Sequence, residues 1–164
     1  LPKIIRTAKN LGYPYVQVMS NALKLADFGY AKELVSAGAN LFRISVHGHN
    51  AELHDRLVGI PGAFAKVMKA FDNIRKLGAE ITVNLALNKY SYKNVDRWLE
   101  LICVKQGITD FNIIFPHYKG LMAENARELK VSLTQALPPL RRGLDFLAAS
   151  GAEIEGAILI NFCP

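Results

Sequence analysis

The fold of this chain is decided by Phe64–Asn88, which reads FAKVMKAFDNIRKLGAEITVNLALN. The first half of this stretch places apolar side chains at the spacing of an amphipathic helix, and the second half alternates apolar and polar residues as a half-buried strand does. Gly78 stands between the two halves, at the position where a left-handed residue commonly ends a helix. The stretch therefore predicts a helix, a glycine turn and a strand in succession.

The same helix–glycine–strand unit occurs five times along the chain. The predicted strands are Tyr15–Met19, Leu41–Val46, Ile81–Leu87, Phe111–Phe115 and Ile154–Phe162. We expect the last helix to start near Pro138, because proline fits the first turn of a helix but breaks its interior. Repeated alternation of helix and strand predicts an α/β fold with a parallel sheet and right-handed crossovers.

Polar residues occupy one face of the predicted strands. Arg43, Ser45 and His47 alternate with apolar residues in the second strand, and Asn84 and Asn88 do so in the third. Strands that are covered by helices on both faces are almost continuously apolar. We therefore expect helices on one face only and a polar lumen on the other, as in a barrel or an open half-barrel.

Polar residues also gather toward the carboxyl ends of the predicted strands, where parallel α/β folds bind their ligands. They include Asn21, His47, Asn88 and His117. Two longer polar segments, His49–Gly62 and Lys119–Lys130, lie at the same end of the sheet. We expect both segments to be loops that form walls of a binding site.

Composition excludes several classes of protein. The chain has 164 residues, of which 51% are hydrophobic and 21% charged, so it is neither disordered nor too short for a sizeable core. No apolar run reaches the length of a membrane span. With only two cysteines, a disulfide scaffold is excluded and a reducing, cytoplasmic compartment is favoured. The formal net charge of +6 is spread over mixed helical faces, which favours solvated surfaces over nucleic-acid binding.

The two ends of the chain suggest that it is a piece of a longer protein. Leu1 falls directly into a helical pattern, and Pro164 directly follows a strand-like run. We therefore expect one α/β domain, 1–164, truncated at the amino terminus and also at the carboxyl terminus. A missing neighbouring strand would leave the edge of Tyr15–Met19 exposed, so we expect self-association through this edge.

The residues alone leave several functions open. His47 and His49 flank Gly48, and with His117 they make a metal-dependent hydrolase of TIM-barrel type one candidate. Neighbouring positions of a strand alternate between its two faces, and we expect His47 and His49 to reach one ion only through a kink at Gly48. A sugar- or phosphate-binding module without catalysis is a further candidate, since strand-end asparagines bind such ligands.

Several segments, taken in order, resemble the middle of radical S-adenosylmethionine (radical SAM) enzymes. They are Ser20–Ala22, Ile44–Gly48, His54–Arg56, Gly59–Phe64, Ile74–Gly78 and Val83–Asn88. The resemblance implies a partial TIM-barrel-like fold with five of about six strands present. It also implies that a 4Fe-4S cluster reductively cleaves S-adenosylmethionine, and that the resulting 5′-deoxyadenosyl radical abstracts hydrogen from a substrate.

By the same resemblance, several residues contact the cofactor. Ser45 and His47 match the strand that contacts its ribose or methionyl amine, and Asn84 and Asn88 match the strand beside its adenosyl group. Arg56 is a candidate for the methionyl carboxylate. Asn21 belongs to the matching first strand end, and the loop that contains His117 lies near the adenine.

The chain departs from the family in one important respect. The Cys-x3-Cys-x2-Cys signature that binds the cluster is absent, and so is the Gly-Gly-Glu that holds the methionyl amine. The resemblance places both upstream of Leu1, so we expect the cofactors only in the intact parent and no activity of this fragment alone. The expected partners are a small-molecule or peptide substrate and a reductant such as a flavodoxin or ferredoxin.

Overall fold

The computed structural model describes residues 1–116, 119–152 and 154–159. The strands are β1 (Gln17–Ser20), β2 (Leu41–Ser45), β3 (Glu80–Ala86), β4 (Asp110–Ile114) and β5 (Gly156–Leu159). The helices are α1 (Pro2–Asn10), α2 (Phe28–Ala37), α3 (Ala51–Val58), α4 (Ala63–Lys76), α5 (Val95–Leu99), α6 (Leu121–Glu124), α7 (Ala126–Leu129) and α8 (Leu133–Ser150). Leu23–Ala26 and Tyr92–Asn94 form 3-10 turns, and Glu100–Lys105 continues α5 as a π-helical turn.

The strands form one parallel sheet in the order β1-β2-β3-β4-β5. Each strand pairs with the strand that follows it in the chain, so the described sheet has no point at which the winding direction reverses. Right-handed crossovers without such a reversal place the connecting helices on one face of the sheet. The predicted α/β fold with a parallel sheet is therefore confirmed.

The face of the sheet that meets the helices is apolar and closed to solvent. Phe42, Ile44, Val83 and Leu85 have no exposed surface, and neither does Phe111, whose ring meets the Trp98 ring edge to face with 6.1 Å between centroids. Helix α4 contributes a matching stripe that includes the fully buried Val67, Phe71 and Ile74. This face holds the core of the domain and fixes the positions of the strands.

The opposite face carries polar rows that run across the sheet, and we call it the lumen face. Parallel register aligns Arg43 with Thr82 and Asp110 in one row. It aligns Ser45 with Asn84 and Asn112 in the next row toward the carboxyl ends. The predicted separation into an apolar face and a polar face is thus present in β2, β3 and β4.

Two predictions from the sequence are wrong, one about the start of a helix and one about two segments expected to be loops. Helix α8 begins at Leu133 rather than near Pro138, because Ser132 and Gln135 form a capping box that starts the helix earlier and leaves both prolines in its interior. The segments 49–62 and 119–130 are not loops throughout, since they contain α3, α6 and α7. The Asn50 side chain caps α3 by accepting a hydrogen bond from the Leu53 amide.

Among the described residues, no helix combines the length and the apolar character needed to cross a bilayer.

Candidate functional site

A cavity of about 110 Å³ lies where β1 and β2 end, at the carboxyl edge of the sheet. Three of the predicted cofactor contacts, Asn21, Ser45 and His47, line it together with His54. Apolar side chains complete the wall, namely Leu23, Val58, Ile60 and Ala63. The cavity therefore combines hydrogen-bonding groups from the strand ends with an apolar wall from α3 and the start of α4.

His54 is a cavity residue to which the sequence analysis assigned no binding role. Only 2% of its surface is exposed, and its Nδ1 accepts a hydrogen bond of 3.1 Å from the backbone N–H of His47. Its ring stacks on the His47 ring with 6.1 Å between centroids and meets Phe64 edge-on at 5.8 Å. A histidine seven residues beyond a strand-end histidine is a weak signal, because the contact depends on the path of the chain through α3.

Burial keeps the imidazoles of this cavity uncharged near neutral pH. The pKa of His54 is lowered to about 4, mainly by desolvation and also by the neighbouring His47, against a smaller opposing effect of the Asp55 carboxylate. Desolvation also lowers the pKa of His47. A neutral His54 whose Nδ1 accepts a hydrogen bond carries its proton on Nε2, so it is a hydrogen-bond donor rather than a cation.

Asp55 holds the opposite wall of the cavity in place. One oxygen of its carboxylate accepts a hydrogen bond of 2.6 Å from the Gly62 amide, and the other accepts one of 2.7 Å from the Phe64 amide. These amides lie at the beginning of α4, where a negative charge is favoured by the helix dipole. The wall at Ile60 and Ala63 is thereby tied to α3.

The lumen face beside the cavity contains polar atoms with unused hydrogen-bonding capacity. Asn112 Nδ2 donates to Asn84 Oδ1 at 2.8 Å, and Thr82 Oγ1 donates to Asp110 Oδ2 at 2.6 Å. Within the described part of the chain, Asn112 Oδ1 and Arg43 Nε are buried without a hydrogen-bond partner. Asn112 was missed by the sequence analysis, although its place between Phe111 and Ile113 puts it on the polar face by simple alternation.

Asn88 and Arg56 lie apart from the cavity. Asn88 Oδ1 accepts hydrogen bonds from the amides of Tyr90 and Ser91, which uses this side chain to close the turn after β3. The exposed Arg56 guanidinium lies 4.5 Å from the centroid of the Tyr90 ring. Arg56 also lines a separate cavity of about 260 Å³ together with His49. The structure thus does not group these two residues with Ser45.

The predicted contact His117 and the cysteine Cys163 lie outside the described residues. Cys103 is buried in the π-helical turn after α5, where desolvation raises the pKa of its thiol to about 11. Such a thiol stays protonated at neutral pH, and thiolates are the form that binds metal ions.

The metal-dependent hydrolase alternative finds no support. His47 and His49 line different cavities. In the portions of the chain that the structure covers, no three His, Cys, Asp or Glu side chains are grouped so that they could hold a metal ion. The backbone at Gly48 therefore does not bring the two histidines to one ion.

The fold and the cavity together define a class of protein. A parallel sheet wound in one direction, with helices on one face and a polar lumen that ends in a cavity at the carboxyl edge, is the arrangement of TIM-barrel-like enzymes.

Solved structures share this arrangement over most of the chain. Streptococcus suis SuiB bound to its precursor peptide SuiA matches with a TM-score of 0.74 and 16% identity, over 99% of this chain and 35% of SuiB. Escherichia coli coproporphyrinogen III oxidase HemN, a radical SAM enzyme, matches with a TM-score of 0.66 and 15% identity, over 91% of this chain and 36% of HemN. At these identities the likeness establishes the fold.

Curated relatives indicate the kind of enzyme that this chain resembles. The PqqA peptide cyclase of Ruegeria pomeroyi is 23% identical over 164 residues, which are 100% of this chain and 42% of the cyclase. A probable GTP 3′,8-cyclase of Saccharolobus islandicus is 28% identical over 122 residues, which are 74% of this chain and 38% of that protein. No family model matches the chain. These relatives and structural neighbours are radical SAM enzymes, so the resemblance predicted from the sequence is confirmed.

Proposed function

We propose that this chain forms part of the catalytic barrel of a radical SAM enzyme. The observation that carries the proposal is the cavity at the carboxyl edge of the sheet, in which Asn21, Ser45 and His47 meet. When bound, S-adenosylmethionine and a 4Fe-4S cluster supply reductive cleavage of the sulfonium and abstraction of hydrogen from a substrate. The chain spans less than half of its curated relatives, so this activity belongs to the intact parent.

The residues of the cavity fit S-adenosylmethionine in their chemistry. The hydroxyl of Ser45 and the carboxamide of Asn21 suit ribose hydroxyls or the methionyl amine, and the apolar wall excludes water from a reactive site. Uncharged imidazoles at His47 and His54 add no positive charge beside a sulfonium cation. Binding there relies on hydrogen bonds rather than on charge.

Further contacts of the same cofactor complete the proposal. Asn84 and Asn88 flank the adenosyl group, whereas His117, the remaining predicted contact, lies outside the described residues. Arg56 lines a separate cavity with His49 and therefore has no role in this proposal. The orphaned Asn112 Oδ1 beside Asn84 supports a bound ligand at this level of the lumen, since buried acceptors in native proteins nearly always have a partner.

The described residues do not fit a 4Fe-4S cluster. They contain no group of three possible metal ligands, and Cys103 is a buried, protonated thiol inside a helix. We therefore propose that the cluster cysteines of the parent enzyme lie in a segment outside these 164 residues, and that the chain is one domain of that enzyme.

The substrate and the electron donor are proposed from different observations. SuiB and the enzyme anSMEcpe have been solved with bound peptides, which supports a peptide as substrate, with a small molecule as the alternative. The formal net charge of +6 suits an acidic electron carrier of the flavodoxin or ferredoxin class, because opposite charges speed association. A cytoplasmic location fits an oxygen-sensitive cluster and the low cysteine content.

The test uses the full-length parent protein, purified and reconstituted with iron and sulfide without oxygen. We expect reductive formation of 5′-deoxyadenosine from S-adenosylmethionine, and at least about tenfold weaker S-adenosylmethionine binding in Ser45→Ala and His47→Ala. Ser36→Ala on the exposed surface of α2 is the matched control and should bind like the wild type. Binding without cleavage in a protein that carries its full cluster would overturn the proposal.

A further inference from the structure

Two buried aromatic side chains hold the backbone directly beyond the end of β2. Trp98 Nε1 donates a hydrogen bond of 2.8 Å to the carbonyl oxygen of Val46, and His54 Nδ1 accepts one of 3.1 Å from the N–H of His47. Trp98 comes from α5 and His54 from α3, and their exposed fractions are 1% and 2%. We call these two side chains the strand-end clamp.

The clamp replaces strand pairing at the point where pairing stops. The Val46 N–H still reaches Asn84 O of the neighbouring strand at 2.9 Å. The next two backbone groups along the chain are the ones that Trp98 and His54 bind. Three successive polar groups of the backbone are thus satisfied, although β2 itself ends at Ser45.

Close packing leaves the clamped segment little room to move. A Cβ atom added at Gly48 would lie 2.5 Å from the backbone nitrogen of His54, so a side chain at this position would push α3 away from the strand end. The His54 ring is held between His47 and Phe64 by ring contacts. The segment Val46–Gly48 is therefore held by the hydrogen bond from Trp98 of α5 and by close packing against α3.

The clamp binds the dipeptide Val46–His47, and two residues of the cavity belong to this dipeptide or lie next to it. Ser45 precedes Val46, and His47 is itself clamped through its backbone. We propose that Trp98 and His54 are positioning residues that hold Ser45 and His47 in the geometry needed to bind the cofactor; this inference rests on the proposed function. A displacement of binding groups by about 1 Å is enough to lower affinity or rate by orders of magnitude.

A purely structural role for the clamp would have a different signature. Loss of a buried hydrogen bond would then lower the stability of the protein and leave the affinity of the folded fraction for S-adenosylmethionine unchanged. A positioning role predicts weaker affinity in the folded protein, together with faster amide exchange at His47. The two roles can therefore be separated by measurements on folded protein.

Four variants of the full-length protein make the test. His54→Leu removes the acceptor for the His47 N–H, whereas His54→Asn offers a side-chain oxygen in its place. Trp98→Phe keeps a ring but removes the donor to Val46. Asn73→Ala is the control, because Asn73 is 2% exposed and its Nδ2 donates to the carbonyls of Leu25 and Ala26, away from the clamp.

The readouts are hydrogen exchange at the His47 amide and the dissociation constant for S-adenosylmethionine. We expect His54→Leu to speed exchange and weaken binding by at least about tenfold each, Trp98→Phe to weaken binding in the same direction, and His54→Asn to restore both within about threefold. Asn73→Ala should melt at lower temperature with unchanged affinity.

Two results would overturn the inference, and a third would overturn the proposed function instead. Wild-type affinity in His54→Leu would refute the positioning role, and so would an equal loss of affinity in Asn73→Ala. If the wild-type protein with its cluster bound no S-adenosylmethionine, the proposed function would fail. Exchange at the His47 amide would then still decide whether His54 holds the strand end.

Discussion

The two faces of the sheet obey different rules. On the helix-facing side, Phe42, Ile44, Leu85 and Phe111 are completely buried among apolar neighbours. On the lumen side, Asn112 carries a buried oxygen with no partner among the described residues. Unpaired buried polar groups cost stability, whereas close-packed apolar groups supply it. The helix-facing side therefore stabilises the fold, whereas the lumen side keeps an unpaired polar atom that close packing does not require.

The largest expected effect comes from opening a hole in the helix-facing side. Phe111→Ala removes a fully buried ring that contacts Trp98, and we expect a loss of about 3–5 kcal/mol in the free energy of unfolding. Urea unfolding measures it. Met19→Ala on the lumen face is the control, because 66% of Met19 is exposed and its truncation should cost less than about 0.5 kcal/mol. Equal losses in the two variants would remove the distinction between the faces.

Most of the helix-facing side could be predicted from the sequence. Helix α4 spans Ala63–Lys76 and β3 spans Glu80–Ala86, as the stretch Phe64–Asn88 predicted, and Gly78 between them has a φ of 72°. These features follow from local preferences and from burial of one stripe, which a single sequence displays directly. The predicted start of α8 was wrong because two local signals compete, and the capping box at Ser132, not the two prolines, determines where the helix begins.

The candidate site could be predicted only in part, for a physical reason. Asn21, Ser45 and His47 were found because strand alternation and the carboxyl-edge rule place them without further information. His54 and Trp98 reach the same strand end from helices that are far apart in sequence. Their contacts depend on how α3 and α5 dock on the sheet, and periodicity carries no information about docking.

The second-largest effect tests the Asn84–Asn112 pair on the lumen face. Asn112→Leu takes away the donor to Asn84 Oδ1 and leaves that oxygen buried, so we expect a loss of about 1–3 kcal/mol in the free energy of unfolding. Replacing both asparagines by leucine removes both polar groups and should cost less than the single change. A double-mutant cycle from urea unfolding gives the interaction energy. Additive losses would mean that the two asparagines are not coupled, and the lumen face would then not differ from the helix-facing side in this respect.

A smaller effect is expected from pH, through the buried imidazole of His54 in the wall of the cavity. The pKa of His54 is about 4 in the folded protein, below its ordinary value of 6.5. Between these values the unfolded chain binds a proton that folded His54 does not, so stability falls as pH falls from about 6.5 toward 4. We expect a loss of about 1–2 kcal/mol between pH 7 and pH 5 from this group.

Urea unfolding at a series of pH values measures this slope, and His54→Asn is the control because it lacks the titrating group. The burial of His47 lowers its pKa as well, so a smaller slope of the same sign should remain in the variant. A slope that is identical in wild type and variant would show that His54 is not the group that resists protonation.

The smallest effect on stability is expected at the free edge of β1, where the consequence is association instead. In the described sheet, β1 pairs only with β2, and its exposed Met19 lies beside unpaired backbone groups. We propose that two copies of this 164-residue chain pair through this edge. Met19→Lys should change the free energy of unfolding by less than about 0.5 kcal/mol, because the side chain is already exposed. It should shift the chain toward monomer in sedimentation velocity, since an edge lysine opposes strand pairing.

Ile4→Lys on α1 is the control that separates edge pairing from nonspecific association through exposed apolar side chains, because Ile4 is 71% exposed but lies outside the sheet. If Ile4→Lys dispersed the chain as well as Met19→Lys does, the exposed apolar surface of α1 rather than the strand edge would be responsible.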